Sequence, residues 1–112
     1  MAFQKGDVVL VPFPAADMSS TKTRPAVVVS TDLFATGEGR LLVAGVTSNL
    51  AAHQNATSYE LPDWAAVGLK KPSIVTSWIA CGTQNIVAHK VGALRATEVT
   101  EVETCLRRAL GL

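Results

Sequence analysis

The chain has 112 residues, a length that favours one domain with a buried core over two separate domains. Ten Lys and Arg residues against nine Asp and Glu give a net charge of +1, so any binding of nucleic acid must come from local clustering of charge. No segment approaches the ~20 apolar residues of a membrane helix, and the opening MAFQKGDVV is no export signal, so we expect a cytoplasmic protein with no membrane partner.

Five short segments rich in β-branched residues predict strands, separated by Gly, Pro, Ser, Thr or Asn. Their hydrophobicity is nearly continuous rather than alternating. We therefore expect part of the sheet to be buried on both faces, against another sheet, a helix or a second subunit. In chain order the segments are DVVLVPF (7–13), AVVVST (26–31), LLVAGVT (41–47), SIVTSWIA (73–80) and NIVAHKV (85–91).

The C-terminal stretch TEVTEVETCLRRALGL predicts a single helix. Apolar residues recur at helical spacing from Val99 to Leu110, with acids in the first turns and two arginines near the end, an order that suits the helix dipole. Thr97 is the predicted N-cap. Together the segments predict one α+β domain over residues 1–112, mainly β and closed by this helix.

The two cysteines predict neither a disulfide nor a metal site. Cys81 and Cys105 are distant in sequence and lack metal-type spacing. We expect two reduced, partly buried thiols, with no metal ion and no cofactor.

Lys22 and Arg24 stand immediately before the second predicted strand, in the stretch KTRPAVVVS. Pro25 is expected at the first residue of that strand, where its missing N–H costs no ladder bond, and it should hold Arg24 extended at the mouth of the strand. Such an arginine is either simply solvated or an anion clamp, because a guanidinium forks onto phosphate oxygens and stays charged. In the second case Lys22 adds a cation to the same site.

A polar stretch of Thr47, Ser48 and Asn49 ends the third predicted strand and leads into a loop with His53. Such residues are common where strands end. Three short hydrogen-bonding side chains could also hold a phosphate or a base edge, since a hydroxyl beside an arginine stabilises charge that develops on a phosphate. His53 is either a solvated loop residue or an acid or base in the reaction.

Four segments follow one another in the order of a known protein family. They are GDVVLVPFPAADMSSTKTRPAVVVS (6–30), GVTSN (45–49), GLKKPSIV (68–75) and HKVGALRATEV (89–99). The first resembles the opening of the MazF/PemK toxins of type II toxin–antitoxin systems, and the others resemble that family's second segment, the stretch after its middle loop, and the path into its last helix. The resemblance covers nearly the whole chain.

The resemblance implies an SH3-like antiparallel barrel of the PemK/CcdB type with a C-terminal α-helix, working as a homodimer. It implies a sequence-specific, metal-independent endoribonuclease that cleaves single-stranded RNA, such as mRNA, to 2′,3′-cyclic phosphate and 5′-hydroxyl ends. The RNA's own 2′-OH then attacks, so DNA should resist. The family's catalytic arginine and threonine match Arg24 and Thr47. A cognate MazE/PemI-like antitoxin is also implied, with an acidic C-terminal tail that covers the active groove.

One segment departs from the family pattern. Some members carry an Arg-x-Asp acid–base pair where this chain has Thr76, Ser77 and Trp78. Trp78 either stacks on an RNA base, a contact worth ~1–3 kcal/mol, or lies in the core or in a dimer interface. The expected RNA contacts are Lys22, Ser48, Asn49, Thr76 and Trp78.

Two other functions fit the same fold. A CcdB-like protein binds gyrase and cleaves nothing, and a catalytically degenerate member serves as a protein-binding module. The gyrase-binding reading needs neither Arg24 nor Thr47, and it calls for a tryptophan-containing C-terminus, whereas this chain ends CLRRALGL. The absent Arg-x-Asp pair leaves the protein-binding module open.

Overall fold

The computed structural model describes residues 3–112, which contain six strands and two α-helices. The strands are β1 (Asp7–Pro14), β2 (Thr21–Val28), β3 (Arg40–Thr47), β4 (Tyr59–Glu60), β5 (Ile74–Thr83) and β6 (His89–Ala93), and the helices are α1 (Asp32–Glu38) and α2 (Ala96–Leu110). All strand pairs are antiparallel, in the order β4-β5-β3-β2-β1-β6. The sheet curls into a half-barrel, which confirms the predicted mainly β architecture with a C-terminal helix.

Part of the sheet is buried on both faces, as its continuous hydrophobicity predicted. Successive strand residues point to opposite faces, so Val8 joins one apolar cluster whereas Val9 joins the other. Val102 brings α2 onto the first cluster, and Ala35 brings α1 onto the second. The α2-side cluster comprises Val8, Val27, Ala44, Val46, Leu61, Val67, Leu69, Val75, Leu94 and Val102, and the α1-side cluster comprises Val9, Val11, Phe13, Ala26, Val28, Ala35, Leu41 and Val43.

Strand β2 begins earlier than predicted and includes both cations of the KTRP stretch. Pro25 lies inside β2 opposite Leu10 rather than at its first residue, so the prediction that Arg24 stands at the strand mouth is wrong. The ladder between β2 and β3 begins only at Ala26. Pro25 therefore lies where β2 pairs with β1 alone, a position at which a residue without an N–H is tolerated.

Two short elements were not predicted. Helix α1 starts where the Thr31 hydroxyl accepts a hydrogen bond from the Phe34 N–H at 3.2 Å, and it ends at Gly39, which has a φ of 68°. These are ordinary N- and C-caps. Strand β4 has only two residues, and it pairs with the start of β5 through Tyr59 and Val75.

The ends of two predicted elements also move. Helix α2 is capped by Arg95, not Thr97, because the Glu98 carboxylate accepts a hydrogen bond from the Arg95 N–H at 2.9 Å. The fifth predicted strand is shorter than expected. A 3₁₀ turn occupies Gln84–Ile86, and β6 begins only at His89.

Both cysteines are free, but their environments differ. Cys105 is buried in α2, and that burial raises the pKa of its thiol. Cys81 is exposed on β5, so the expectation that both thiols are partly buried is wrong for Cys81. Within residues 3–112 neither helix has the length and apolar character needed to span a bilayer.

Strand β6 approaches the segment that follows β4 so closely that two glycines are required. A Cβ on Gly92 would lie 2.2 Å from the Val67 carbonyl oxygen. A Cβ on Gly68, which has a φ of 93°, would lie 2.4 Å from the Val91 carbonyl oxygen. This contact fixes the backbone around residue 68 against β6, and the position of the lysines that follow depends on it.

Candidate functional site

Arg24 of β2 and Thr47 of β3 lie just beyond the end of the ladder that joins their strands. Ala26 lies opposite Gly45 in the last described pair at this end of the ladder, and Arg24 and Thr47 each lie two residues further along. Both side chains line one groove of about 760 Å³.

The Arg24 guanidinium rests on an aromatic ring and has no acidic partner. Its Cζ lies 6.0 Å from the centroid of the Phe13 ring, at the outer range of a cation–π contact. Phe13 is itself fixed in the α1-side cluster, where Gly45 leaves room for it, since a Cβ there would lie 3.1 Å from the ring. Within residues 3–112 no carboxylate pairs with Arg24. The guanidinium therefore lies beside an aromatic ring and is available to an anion.

The Thr47 hydroxyl is oriented by the backbone that follows it. Its Oγ1 accepts a hydrogen bond from the Asn49 N–H at 3.1 Å. A hydroxyl is both a donor and an acceptor, so this bond leaves its hydrogen for an acceptor in the groove, such as a phosphate oxygen. The pair thus offers a fixed charge and a fixed hydroxyl donor to the same space.

An aromatic pair forms one wall of this groove. The rings of His53 and Trp78 meet edge to face, with centroids 4.6 Å apart and an interplanar angle of 88°. Trp78 is 40% exposed, so the indole is held by the histidine while part of its surface faces solvent. That combination suits the stacking of a planar ligand.

The turn between β1 and β2 forms the rim of the groove. The Ala15 N–H donates to the Ser20 carbonyl at 2.9 Å, which closes the turn. Within it the Asp17 carboxylate accepts from the Ser19 hydroxyl at 2.6 Å and from the Ser19 N–H at 3.0 Å, and these bonds lower the pKa of Asp17. Met18 has a φ of 63° and is 76% exposed. The rim is a structured turn that presents an apolar side chain, which its composition did not predict.

Six of the eight predicted site residues come together, and two, Ser48 and Thr76, do not. The groove is lined by Lys22, Arg24, Thr47, Asn49, His53 and Trp78 among the predicted residues, and by Phe13, Pro14, Ala15, Ala16, Met18, Ser20 and Ile79 besides. Ser48 lines an adjoining groove.

Thr76 is not available to a ligand. It is 3% exposed, its hydroxyl donates to the Gly45 carbonyl at 2.7 Å, and the same oxygen accepts from the Trp78 N–H at 3.2 Å. The prediction that Thr76 contacts RNA is therefore wrong. Thr76 joins β5 to β3 where the register of that pair shifts, between Ala44 and Val46, and so supports Trp78.

Two cations line the groove. They are Lys22 and Arg24, and within residues 3–112 no Asp or Glu is among the lining residues, while the Asp17 carboxylate of the rim accepts hydrogen bonds from Ser19. Several cations elsewhere are paired, as in Lys5 with Glu103 and Lys90 with Asp7. Within the described part of the chain no three His, Cys, Asp or Glu side chains are grouped as metal ligands would be.

Comparison with known proteins adds a family to this geometry. A model of the family described as "PemK-like, MazF-like toxin of type II toxin-antitoxin system" matches residues 4–110. No curated protein sequence matches the chain.

Solved structures of similar fold cover almost the entire chain. The Mycobacterium tuberculosis toxin MazF-mt6 is 19% identical with a TM-score of 0.76, covering 95% of this chain and 97% of that one. A mycobacterial endoribonuclease in complex with its cognate antitoxin is 15% identical with a TM-score of 0.80, covering 99% and 97%. MazF from Deinococcus radiodurans is 22% identical with a TM-score of 0.78, covering 100% and 99%. At these identities the likeness establishes the fold.

Proposed function

Because the chain belongs to the family of PemK-like, MazF-like toxins of type II toxin–antitoxin systems, we propose that it is a sequence-specific endoribonuclease that cleaves single-stranded RNA, such as mRNA, in the cytoplasm without a metal ion. The whole chain, residues 1–112, forms one toxin domain. The observation that carries the proposal is that, within residues 3–112, the Arg24 guanidinium forms no ion pair and lines the same groove as Thr47, with no Asp or Glu among the lining residues. An anion is the ligand that such a site favours.

The reaction is a transesterification within the RNA. The 2′-oxygen attacks the adjacent phosphorus, the bond from phosphorus to the 5′-oxygen breaks, and the products are a 2′,3′-cyclic phosphate and a 5′-hydroxyl. Arg24 holds the phosphate oxygens and stabilises the charge that develops on them, and the Thr47 hydroxyl donates a hydrogen bond to the same group. His53, on the groove wall, is the candidate for moving the proton from the 2′-OH to the leaving oxygen.

The experiment that tests this function uses RNA and a chelator. Purified protein is incubated with a long single-stranded RNA in excess EDTA, and the fragment ends are identified by mass. We expect discrete fragments with 2′,3′-cyclic phosphate ends and no cleavage of the matching single-stranded DNA. Loss of cleavage in EDTA would contradict the mechanism because it would show that a metal ion is needed. Cleavage of the DNA would also contradict it, because DNA has no 2′-OH that could attack.

Trp78 is expected to bind a base by stacking. Removing it in Trp78→Ala should raise KM by roughly tenfold with little change in kcat, because stacking contributes about 1–3 kcal/mol per base. Trp78→Phe is the matched control and should keep most of the affinity. Steady-state kinetics on a short RNA that contains one cut site measure both constants. A fall in kcat alone would show that Trp78 does not act by binding.

The active form is proposed to be a homodimer. An apolar groove of about 320 Å³ lies on the α1-side face of the sheet, and two of its lining residues, Met18 and Ile79, are exposed by 76% and 39%. A second copy would cover this apolar surface. Analytical ultracentrifugation at micromolar concentration is expected to show a dimer, and Ile79→Asp should shift it toward monomer. A wild-type protein that sediments only as a monomer would contradict this assignment.

The proposed protein partner is a cognate antitoxin of the MazE/PemI type with an acidic C-terminal tail. A neighbouring structure of the same fold contains an endoribonuclease with its cognate antitoxin. The positive groove around Lys22 and Arg24 is the surface that an acidic segment would bind, and such binding is fast and weakened by salt. Antitoxin and RNA are therefore expected to compete.

A further inference from the structure

A second groove adjoins the first at Arg24 and Thr47. It encloses about 620 Å³ and is lined at one end by these two residues and at the other by residues of β6 and of the segment from 68 to 71. The strand register gives its course. His89 lies opposite Leu10, and Leu10 lies opposite Pro25. Because successive strand residues point to opposite faces, these three side chains lie on the face opposite to that of Arg24, so the second groove runs from the end of the β2–β3 ladder over β1 to β6 on the α2 side of the sheet.

This second groove is positively charged at both ends. Lys22 and Arg24 lie at the near end, and Lys70 and Lys71 lie at the far end. Its lining includes no Asp or Glu. Within residues 3–112 neither Lys70 nor Lys71 forms an ion pair. The second groove therefore continues the positive charge of the cleavage site in one direction.

The two lysines extend from a backbone that is fixed on both sides. The close contact of Gly68 with Val91 precedes them. Leu69 is buried, and its N–H donates to the Trp64 carbonyl at 3.1 Å. After the lysines, the Ser73 hydroxyl donates to the Lys71 carbonyl at 2.8 Å. Cations on an anchored segment that lines a groove differ from a charge run on a flexible loop, because their positions are set before any ligand arrives.

Resting on the proposed ribonuclease function, we infer that the second groove binds the RNA backbone beyond the scissile phosphate, on one side of the cut, with Lys70 and Lys71 each contacting a phosphate. The two grooves then bind different parts of the RNA. The first groove, which has His53 and Trp78 as one wall, binds bases, whereas the second groove binds sugar and phosphate and does not recognise sequence. The affinity for RNA depends on nucleotides to one side of the cut site, and this part of the affinity is sensitive to salt.

The test measures binding with an RNA that carries a 2′-O-methyl group at the cut position and therefore cannot be cleaved. The dissociation constant is measured against salt for the wild type and for Lys70→Ala/Lys71→Ala. Each phosphate contact on a single strand contributes about 0.7 to the magnitude of the slope of log K against log[salt]. Because the double variant lacks two such contacts, the magnitude of its slope is expected to be smaller by about 1.4. Between about 50 and 200 mM salt the wild type should then lose about sevenfold more affinity than the variant.

Two controls make the result specific. Arg40→Ala/Arg107→Ala removes the same charge from exposed positions outside both grooves, and it should leave the slope unchanged. Shortening the RNA from one end only should lower the wild-type slope by the same ~1.4. With the RNA shortened at that end, Lys70→Ala/Lys71→Ala should cause no further decrease of the salt slope.

Two results would overturn the inference. One is a salt slope in the lysine variant equal to that of the wild type, and the other is an equal decrease of the slope in the arginine control variant. If the wild type still cleaves RNA in either case, the inference fails and the proposed function stands. If the wild type neither binds nor cleaves any single-stranded RNA, the proposed function fails too. An acidic peptide that loses affinity for the lysine variant while the RNA slope stays unchanged would assign the second groove to a protein partner, and would also overturn the inference.

Discussion

Replacing Arg24 with alanine is expected to lower the rate of RNA cleavage by about 10²–10³-fold. The guanidinium lies beside the Phe13 ring and is available to an anion, so it is placed to stabilise the charge that develops in the transition state. The fold should survive, because the described contact that is lost is one cation–π interaction worth about 0.5–1 kcal/mol. Initial cleavage rates and thermal unfolding, measured on the same preparation, separate the two effects.

Two further variants show which property of Arg24 matters. Arg40→Ala removes an equal charge from an exposed position at the start of β3 and should cleave at the wild-type rate. Arg24→Lys keeps the charge but loses the planar fork, so an intermediate rate is expected. A near wild-type rate in Arg24→Ala would remove Arg24 from the mechanism.

The second large effect is expected from Thr47→Val, which removes the hydroxyl at nearly constant volume. We expect kcat to fall by about 10²-fold, since one preorganised donor to the transition state is lost. Stability should fall by only about 0.5–1.5 kcal/mol, because the Asn49 N–H loses its acceptor at Thr47 Oγ1 but lies exposed to water.

Thr47→Ser is the matched control for this experiment, because it keeps the hydroxyl and removes only a methyl group. It should retain kcat within a few-fold, and denaturant unfolding of both variants should show a native fold. If Thr47→Val and Thr47→Ser have equal rates, the hydroxyl has no part in the chemistry and Thr47 is an ordinary residue at the end of β3.

The sequence was sufficient to predict the strands whose residues face the two apolar clusters, because strands that are buried on both faces have a nearly continuous apolar sequence. It failed for the first half of β2, where Lys22 and Arg24 face a groove and pair only with β1, so the segment has the composition of a loop. Helix α1 was not predicted because a segment of seven residues that includes Gly37 is too short to show a helical period.

The candidate site was predicted as a set of residues but not as a surface. Nothing in the spacing of Arg24 and Thr47 along the chain says that β2 and β3 are neighbours in register. Thr76 was misassigned because a register shift between β3 and β5 turns its hydroxyl onto the Gly45 carbonyl, and such shifts have no signal in one sequence. The grooves themselves, and the absence of acids from their linings, exist only in three dimensions.

The pairing of β1 with β6 has a consequence for the synthesis of this protein. Strand β1 ends at Pro14 and β6 begins at His89, so 74 residues separate the two. At roughly 5–20 residues per second, a ribosome needs about 4–15 s to make them. For that interval one edge of β1 has no partner strand, and an unpaired, apolar strand edge is a site of aggregation. The nascent chain thus spends seconds as a species that chaperones must shield, and a chain that terminates before β6 keeps that edge permanently.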